Sequence, residues 1–313
     1  MINKKTRVDL ITGFLGAGKT TFIVRYAKWL KDQGITFAVI ENEFGAAGCD
    51  GALLRDIGMF VSELSGGCIC CSLKIDFTLM LCELAGKVDR IIVEPSGIFS
   101  PADFFEVMGS PSVSKVCETG CVAAIVDPFA FESITGETAD VFAAQLGSAG
   151  IILLCKSERL LPDELAEALI RIRESVSGTE TDDLAPVIAK PWSGFDGDDF
   201  TAVSISGAKP LSGKRVTLNH ANLFNSAAIE VKNSFSEKAL NDALCEIMRD
   251  ERYGSILRIK GTVPSSGGIM FWVNCTVSDI CITETGEKNS ILNIIGKGVS
   301  RKNIRDRLNL IKS

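Results

Sequence analysis

The residues best suited to chemistry stand near the amino end, in Gly13-Phe14-Leu15-Gly16-Ala17-Gly18-Lys19-Thr20, which fills every fixed position of the pattern G-x-x-x-x-G-K-[ST]. An apolar, β-prone run from Val8 to Thr12 leads in, and a helical pattern leads out. Glycines in such a loop let backbone N–H groups curl around phosphate oxygens, and the helix that starts near Lys19 aims its positive end at them. Gly13, Gly16, Ala17, Gly18, Lys19, Thr20 and Thr21 are thus candidate phosphate-binding residues. Lys19 would reach the β- and γ-phosphates, and the Thr20 hydroxyl would ligate Mg²⁺.

Two further runs carry chemistry. Ile91-Ile92-Val93-Glu94-Pro95-Ser96-Gly97 has an apolar strand followed by a carboxylate, then a glycine at the spacing of a loop that senses a terminal phosphate. Glu94 would hold the Mg²⁺ shell or its water, and Gly97 would report phosphate loss. Cys68-Ile69-Cys70-Cys71 follows Gly66-Gly67, and Cys68 and Cys70 share one face of an extended chain. Three thiolates within four residues suit a borderline divalent metal such as Zn²⁺ or Co²⁺, with Glu41, Glu43, Cys49, Asp50 or water as the fourth ligand. The alternatives are buried structural thiols or a redox pair, the second disfavoured because adjacent cysteines make strained bridges.

After the apolar run Ile151 to Leu154 comes Cys155-Lys156-Ser157-Glu158, where an N-K-x-D guanine-reading loop would lie. Lys156 would pack over the base and Glu158 would accept its N–H groups through a longer arm. Cys155 cannot supply the amide of asparagine, and one lost hydrogen bond weakens binding by about 1–2 kcal/mol.

These residues need a frame to hold them. The chain has 313 residues, 46% of them apolar, enough for about two packed domains. A net charge of −6 offers no basic excess to displace counterions, which argues against nucleic acid as a partner. No apolar run approaches the length of a membrane span and no secretory leader is evident, so a cytoplasmic protein without a membrane partner is expected. Eleven cysteines in such a compartment suggest thiols or metal ligation rather than disulfides, and the single histidine, His220, reads as a surface residue.

Strand and helix patterns alternate from Val8 to Ser175, with short apolar runs at 36–40, 59–64, 88–93, 122–126 and 151–155. This alternation predicts a doubly wound α/β domain with a mostly parallel sheet, whose ligands sit at the carboxyl ends of its strands. It would occupy residues 1–195, followed by a Gly/Ser/Asp/Asn-rich linker or irregular edge over 196–225. Residues 226–313 pattern as a smaller α+β domain, an antiparallel sheet with helices on one face.

Taken together, the glycine-rich loop, Glu41-Asn42-Glu43-Phe44-Gly45, Gly67-Cys68-Ile69-Cys70-Cys71 and Glu94-Pro95-Ser96-Gly97 resemble the CobW-like metallochaperone GTPases, relatives of the GTPases that insert nickel into urease and hydrogenase. Val126-Asp127-Pro128 and the segment Gln145 to Ile152 look similar to that family as well, and Ser255 to Val263 looks like the start of its C-terminal domain. The resemblance implies a P-loop GTPase domain, slow Mg²⁺-dependent GTP hydrolysis, and delivery of a divalent metal to a client metalloprotein or a corrinoid-linked protein. It is compatible with a homodimer. The chain departs from the family pattern at Cys155, at Ala46, and in having no histidine-rich tract. Two rivals from other classes are a P-loop kinase for a small metabolite, for which no arginine-rich lid is seen, and a nucleotide-gated scaffold whose basic final helix binds a partner.

Overall fold

The computed structural model describes residues 4–41, 60–63, 72–176, 184–209 and 224–310. They divide between two compact units, the first holding the described residues up to 209 and the second those from 224 to 310.

In the first unit seven described strands form one parallel sheet: β1 (Thr6–Gly13), β2 (Phe37–Glu41), β3 (Phe60–Glu63), β4 (Arg90–Glu94), β5 (Cys117–Val126), β6 (Ile151–Leu154) and β7 (Val187–Ile188). Their order is β3-β2-β4-β1-β5-β6-β7. The central strands are apolar on both faces because helices cover both, as a parallel sheet with crossovers requires. On one face lie α1 (Lys19–Asp32) and α6 (Gly197–Ile205), packing Phe22, Tyr26, Leu30, Phe200 and Val203 on Ile11, Val39, Ile92 and Ala123. On the other lie α2 (Ser72–Leu84) and α3 (Pro101–Met108), with Phe77, Leu81, Phe104 and Val107 on Val8, Leu10, Ile40 and Val93. Helices α4 (Glu137–Ser148) and α5 (Pro162–Val176) bring Phe142, Leu146, Ala168 and Ile172 to Ala124, Ile152 and Leu154. The chain is therefore doubly wound, with its switch in strand order at β1, between β4 and β5.

A buried polar knot crosses this core. Asp9, fully buried in the middle of β1, accepts from Arg90 Nη1 at 2.6 and 2.8 Å, from the Tyr26 hydroxyl at 3.1 Å and from the Cys121 amide at 2.9 Å. Arg90 Nη2 donates to the Ser204 carbonyl at 2.9 Å, so the knot ties β1, β4 and β5 to α1 and α6. Burial pushes the Tyr26 phenol and the Cys121 thiol well above their ordinary pKa values, which keeps both neutral.

The segment from 196 onward, expected as linker or irregular edge, contains regular structure at its start. Asp196 accepts from the amides of Asp198 and Asp199, and Asp199 returns a bond from the Asp196 amide, a capping box that starts α6. Phe200 and Val203 then give the helix a buried face. The weak periodicity arose because only these two apolar anchors are needed beside α1. Strand β7 is two residues long and β5 ten, against an expected five-residue run, since the polar start of β5 (Glu118, Thr119) pairs with β1 all the same.

The second unit is a five-stranded antiparallel sheet in the order β11-β10-β9-β12-β8, from β8 (Asn225–Glu230), β9 (Ser255–Pro264), β10 (Met270–Thr276), β11 (Ile280–Thr285) and β12 (Ile291–Lys297). Helices α7 (Glu237–Arg249) and α8 (Arg301–Asn309) cover it with Leu240, Leu244, Ile247, Ile304 and Leu308, which meet Ile229, Ile259, Val273 and Ile294. The Ser236 hydroxyl caps α7, accepting from the Ala239 amide at 3.3 Å.

Candidate functional site

The glycine-rich loop leaves β1 at the switch point, where a parallel sheet opens a crevice. Gly13, Gly16 and Gly18 all adopt positive φ, at 143°, 79° and 85°. Gly18 is the N-cap of α1 and offers no side-chain cap, so the first turn of the helix is shaped for an anion. The buried Lys19 ammonium folds back over the loop, donating to the carbonyls of Gly13 at 3.0 Å and Phe14 at 3.2 Å. A lysine so held stands in the hollow that the loop encloses.

Glu94 ends β4 on the strand beside the loop and is 7% exposed. Its two carboxylate oxygens lie 2.9 and 3.0 Å from the Thr20 hydroxyl, which donates to them. Glu41, 3% exposed at the end of β2, stands in register with Glu94. In parallel neighbours, residues in register share a face. Two buried carboxylates side by side on the α1 face favour a divalent cation between them and the phosphates, which suits the Mg²⁺ role expected of Thr20 and Glu94.

Beyond Glu94 the chain turns so that Gly97 lies against the loop. A Cβ on Gly97 would stand 2.7 Å from Leu15 Cα and from Phe14 C, and would overlap the Leu15 amide nitrogen. Only glycine permits that approach. Gly97→Ala is expected to lift the segment off the loop, at about 1–3 kcal/mol of stability in urea unfolding and with weaker binding of a γ-phosphate analogue. Parental stability and affinity would show that the contact is dispensable. Gln145, buried on α4, holds the same segment from behind: its Nε2 donates to the carbonyls of Gly97 at 3.3 Å and Phe99 at 3.1 Å.

The hydroxyls of Thr12 and Ser96 are buried and have no hydrogen-bond partner among the described residues. They precede Gly13 and Gly97, two of the glycines that line the crevice. Orphaned donors at that place, beside a lysine and a bare helix N-terminus, fit a phosphate-bearing ligand.

Farther along the sheet, Asp127 follows β5 and Lys156 follows β6. Lys156 is the one non-glycine residue with positive φ among the described residues, at 55°. Its ammonium pairs with the buried Asp127 carboxylate at 2.7 Å, and Asp127 accepts from the Phe129 amide at 3.0 Å. Cys155 is buried, and burial, with the nearby Asp127 charge, pushes its thiol far up, so it is a neutral space-filler rather than a thiolate. Glu158 is exposed on the 3₁₀ turn beyond.

The structure thus gathers Gly13, Gly16, Ala17, Gly18, Lys19, Thr20, Glu94 and Gly97 around one crevice, with Thr21 on the exposed side of α1 and Lys156 and Glu158 at the β6 end. Cys68, Cys70 and Cys71, together with Glu43, Cys49, Asp50 and His220, lie outside the described residues. Among the described residues no group of three or more His, Cys, Asp or Glu side chains is arranged to hold a metal ion. Sequence reasoning passed over the Asp127–Lys156 pair, the Gln145 clamp and Trp192. Their signals were an aspartate after a strand, a glutamine on an apolar helix face, and an aromatic after a proline, none distinctive alone.

A parallel sheet switching at a glycine-rich loop, with a lysine over that loop and a hydroxyl–carboxylate pair beside it, defines a P-loop nucleotide-binding domain. Residues 7–181 match the model of the CobW/HypB/UreG nucleotide-binding domain, and the chain belongs to that family. It is 38% identical over 160 residues to a zinc chaperone of Escherichia coli, YeiR, covering 50% of this chain and 48% of that one. It is 30% identical over 207 residues to the zinc chaperone CobW of Pseudomonas aeruginosa, covering 56% and 54% respectively. To the E. coli zinc chaperone YjiA it is 33% identical over 175 residues, covering 53% and 54%. The chain spans about half the length of these curated relatives. Among the described residues, no helix is long and apolar enough to cross a membrane.

Proposed function

We propose that this protein is a Mg²⁺-dependent GTPase that carries zinc on Cys68, Cys70 and Cys71 and hands it to a client metalloprotein. The observation that carries the reading is the set of Lys19, Thr20, Glu94 and Gly97 at one crevice, within a CobW/HypB/UreG domain that also contains Gly67-Cys68-Ile69-Cys70-Cys71. Lys19 and the start of α1 hold the phosphates and stabilise charge that develops on the leaving group. Thr20 and Glu94 hold Mg²⁺ or its water, and the ion supplies further charge neutralisation when bound. Gly97, backed by Gln145, follows the terminal phosphate.

The metal is cargo, and three thiolates suit Zn²⁺ and accept Co²⁺ as well. Glu41 is a candidate fourth ligand: it stands on β2, upstream of the cysteine segment and beside Glu94, so one carboxylate row would touch both the cargo and the nucleotide. A corrinoid-linked client is a finer form of the same reading. The relatives named as zinc chaperones support zinc as the cargo.

The test is a titration of reduced, metal-free protein with Zn²⁺ and Co²⁺ in Mg²⁺ buffer, run without nucleotide, with GDP and with a non-hydrolysable GTP analogue. Thiolate charge-transfer absorption is expected at about one Co²⁺ per chain, with an affinity that differs between nucleotide states. A Cys68, Cys70, Cys71 triple serine variant that binds metal like the parent would sink the carrier reading. Equal metal affinity in every nucleotide state would sink the coupling.

A further inference from the structure

We propose that Trp192 contacts the bound nucleotide, its indole forming a wall of the ribose and base end of the site, so that this chain holds its nucleotide by an aromatic face as well as by the base-reading loop. The inference rests on the nucleotide-binding reading of the glycine-rich loop and adds a residue to it.

Sheet order gives the direction in which a nucleotide must lie. Glu94 and Gly97, the terminal-phosphate side, come from β4 on one side of β1. Lys156, the base side, comes from β6 on the other. Strand β7 continues in that second direction, pairing Val187 with Ile152 and Ile188 with Leu153. The segments that leave β6 and β7 therefore emerge as neighbours at the same carboxyl edge.

From β7 the chain doubles back toward the loop. Pro191 precedes a single 3₁₀ turn, Trp192–Gly194, closed by the Gly194 amide on the Pro191 carbonyl at 2.8 Å. That turn brings Trp192 Nε1 to 3.5 Å from where a Cβ on Gly18 would stand. Gly18 is the N-cap of α1 and the neighbour of Lys19, so a residue of the base side stands beside the phosphate loop itself. The ring is held there by Phe22 at 5.4 Å and Phe195 at 5.1 Å between centroids, in tilted and edge-on packing. A ring already fixed loses little freedom when a ligand arrives.

Trp192 is half-buried, and its indole N–H has no hydrogen-bond partner among the described residues. A tryptophan with a packed body and an open polar tip at the mouth of an anion site is placed to meet a sugar hydroxyl or a phosphate oxygen with that tip and a base or ribose with its face. The neighbouring loop makes such help useful. Cys155 contributes a buried neutral thiol where an amide would hydrogen-bond the base, and Ser157 Oγ is buried without a partner among the described residues. Stacking is tolerant of base identity because every base has a π-face. Trp192 then supplies affinity, and Glu158 is left to supply guanine preference.

Two measurements on the full chain test this. The protein contains three tryptophans. In a Trp29→Phe, Trp272→Phe background the remaining emission comes from Trp192, and saturating GDP is expected to shift or quench it. In parallel, Trp192→Ala is expected to weaken GDP and ADP by a similar factor, about tenfold, raising KM for GTP while kcat stays within about twofold. Trp192→Phe, which keeps a ring in the Phe22–Phe195 stack, is expected to recover most of the affinity and guards against a folding defect. Emission indifferent to GDP in a protein that binds GDP by calorimetry overturns the proposal, as does parental affinity in Trp192→Ala. If the parent chain binds no nucleotide, the phosphate-loop reading itself falls, a result that calorimetry on the unaltered protein separates from the other two.

Discussion

Replacing Lys19 with alanine is expected to reduce GTP turnover by about 10²–10³-fold, the loss that follows removal of one preorganised group aimed at developing charge. The ammonium is buried and sits on the Gly13 and Phe14 carbonyls at 3.0 and 3.2 Å, so it is poised over the hollow before any ligand arrives. Its loss removes the positive charge nearest the β- and γ-phosphates, and it takes one donor from each of the Gly13 and Phe14 carbonyls, the second of which keeps the Ala17 amide. Lys19→Arg is expected to fail as well, because a planar fork does not fit a hollow shaped around a point charge. Single-turnover hydrolysis with Mg²⁺-saturated enzyme in excess of GTP is the measurement. A Lys19→Ala protein that hydrolyses GTP within threefold of the parent would place the chemistry elsewhere.

Breaking the polar knot under the sheet is expected to have the largest effect on stability. Asp9→Ala removes the acceptor for the Arg90 guanidinium, the Tyr26 hydroxyl and the Cys121 amide together, and it leaves a cation buried without its counter-charge. Such a change costs about 3–5 kcal/mol, measurable as a lower midpoint in urea unfolding. Removing both charges, as in Asp9→Leu with Arg90→Met, is expected to cost less than either single change, because no bare charge then remains. The knot links β1, which carries the phosphate loop, to β4, which carries Glu94. The single variants are therefore also expected to weaken nucleotide binding. A loss under about 1 kcal/mol in Asp9→Ala would mean that water reaches Arg90 and the knot is not a support.

Much of the fold was legible because it is written in local periodicity. The β1 run, α1 with Phe22, Ile23, Tyr26 and Leu30 on one face, and the β4 run ending at Glu94 each declare themselves within a dozen residues. The capping box at Asp196 and Asp199 was equally local, yet the composition around it suggested a linker or an irregular edge of the domain; a short helix with two buried anchors leaves too faint a period to outweigh glycine and serine. Asp9 shows the opposite case. A charged residue inside an apolar strand looks like a flaw until Arg90, 81 residues away, and Tyr26 are seen to meet it.

The chemistry on offer is spelled out along the chain: a phosphate loop from Gly13 to Thr21, a carboxylate and glycine at Glu94 and Gly97, and three cysteines at Cys68, Cys70 and Cys71. Those motifs are spelled by neighbours because a loop that wraps a phosphate or a metal is built from consecutive backbone groups. Which distant residues support them is set by the packed fold. It put Gly97 against Leu15, turned Gln145 toward the Gly97 carbonyl, paired Lys156 with Asp127 and laid Trp192 beside Gly18. The physical reason is that each of these contacts joins segments brought together by strand order and helix packing, and parallel strands bring together parts of the chain whose separation in sequence says nothing of their separation in space.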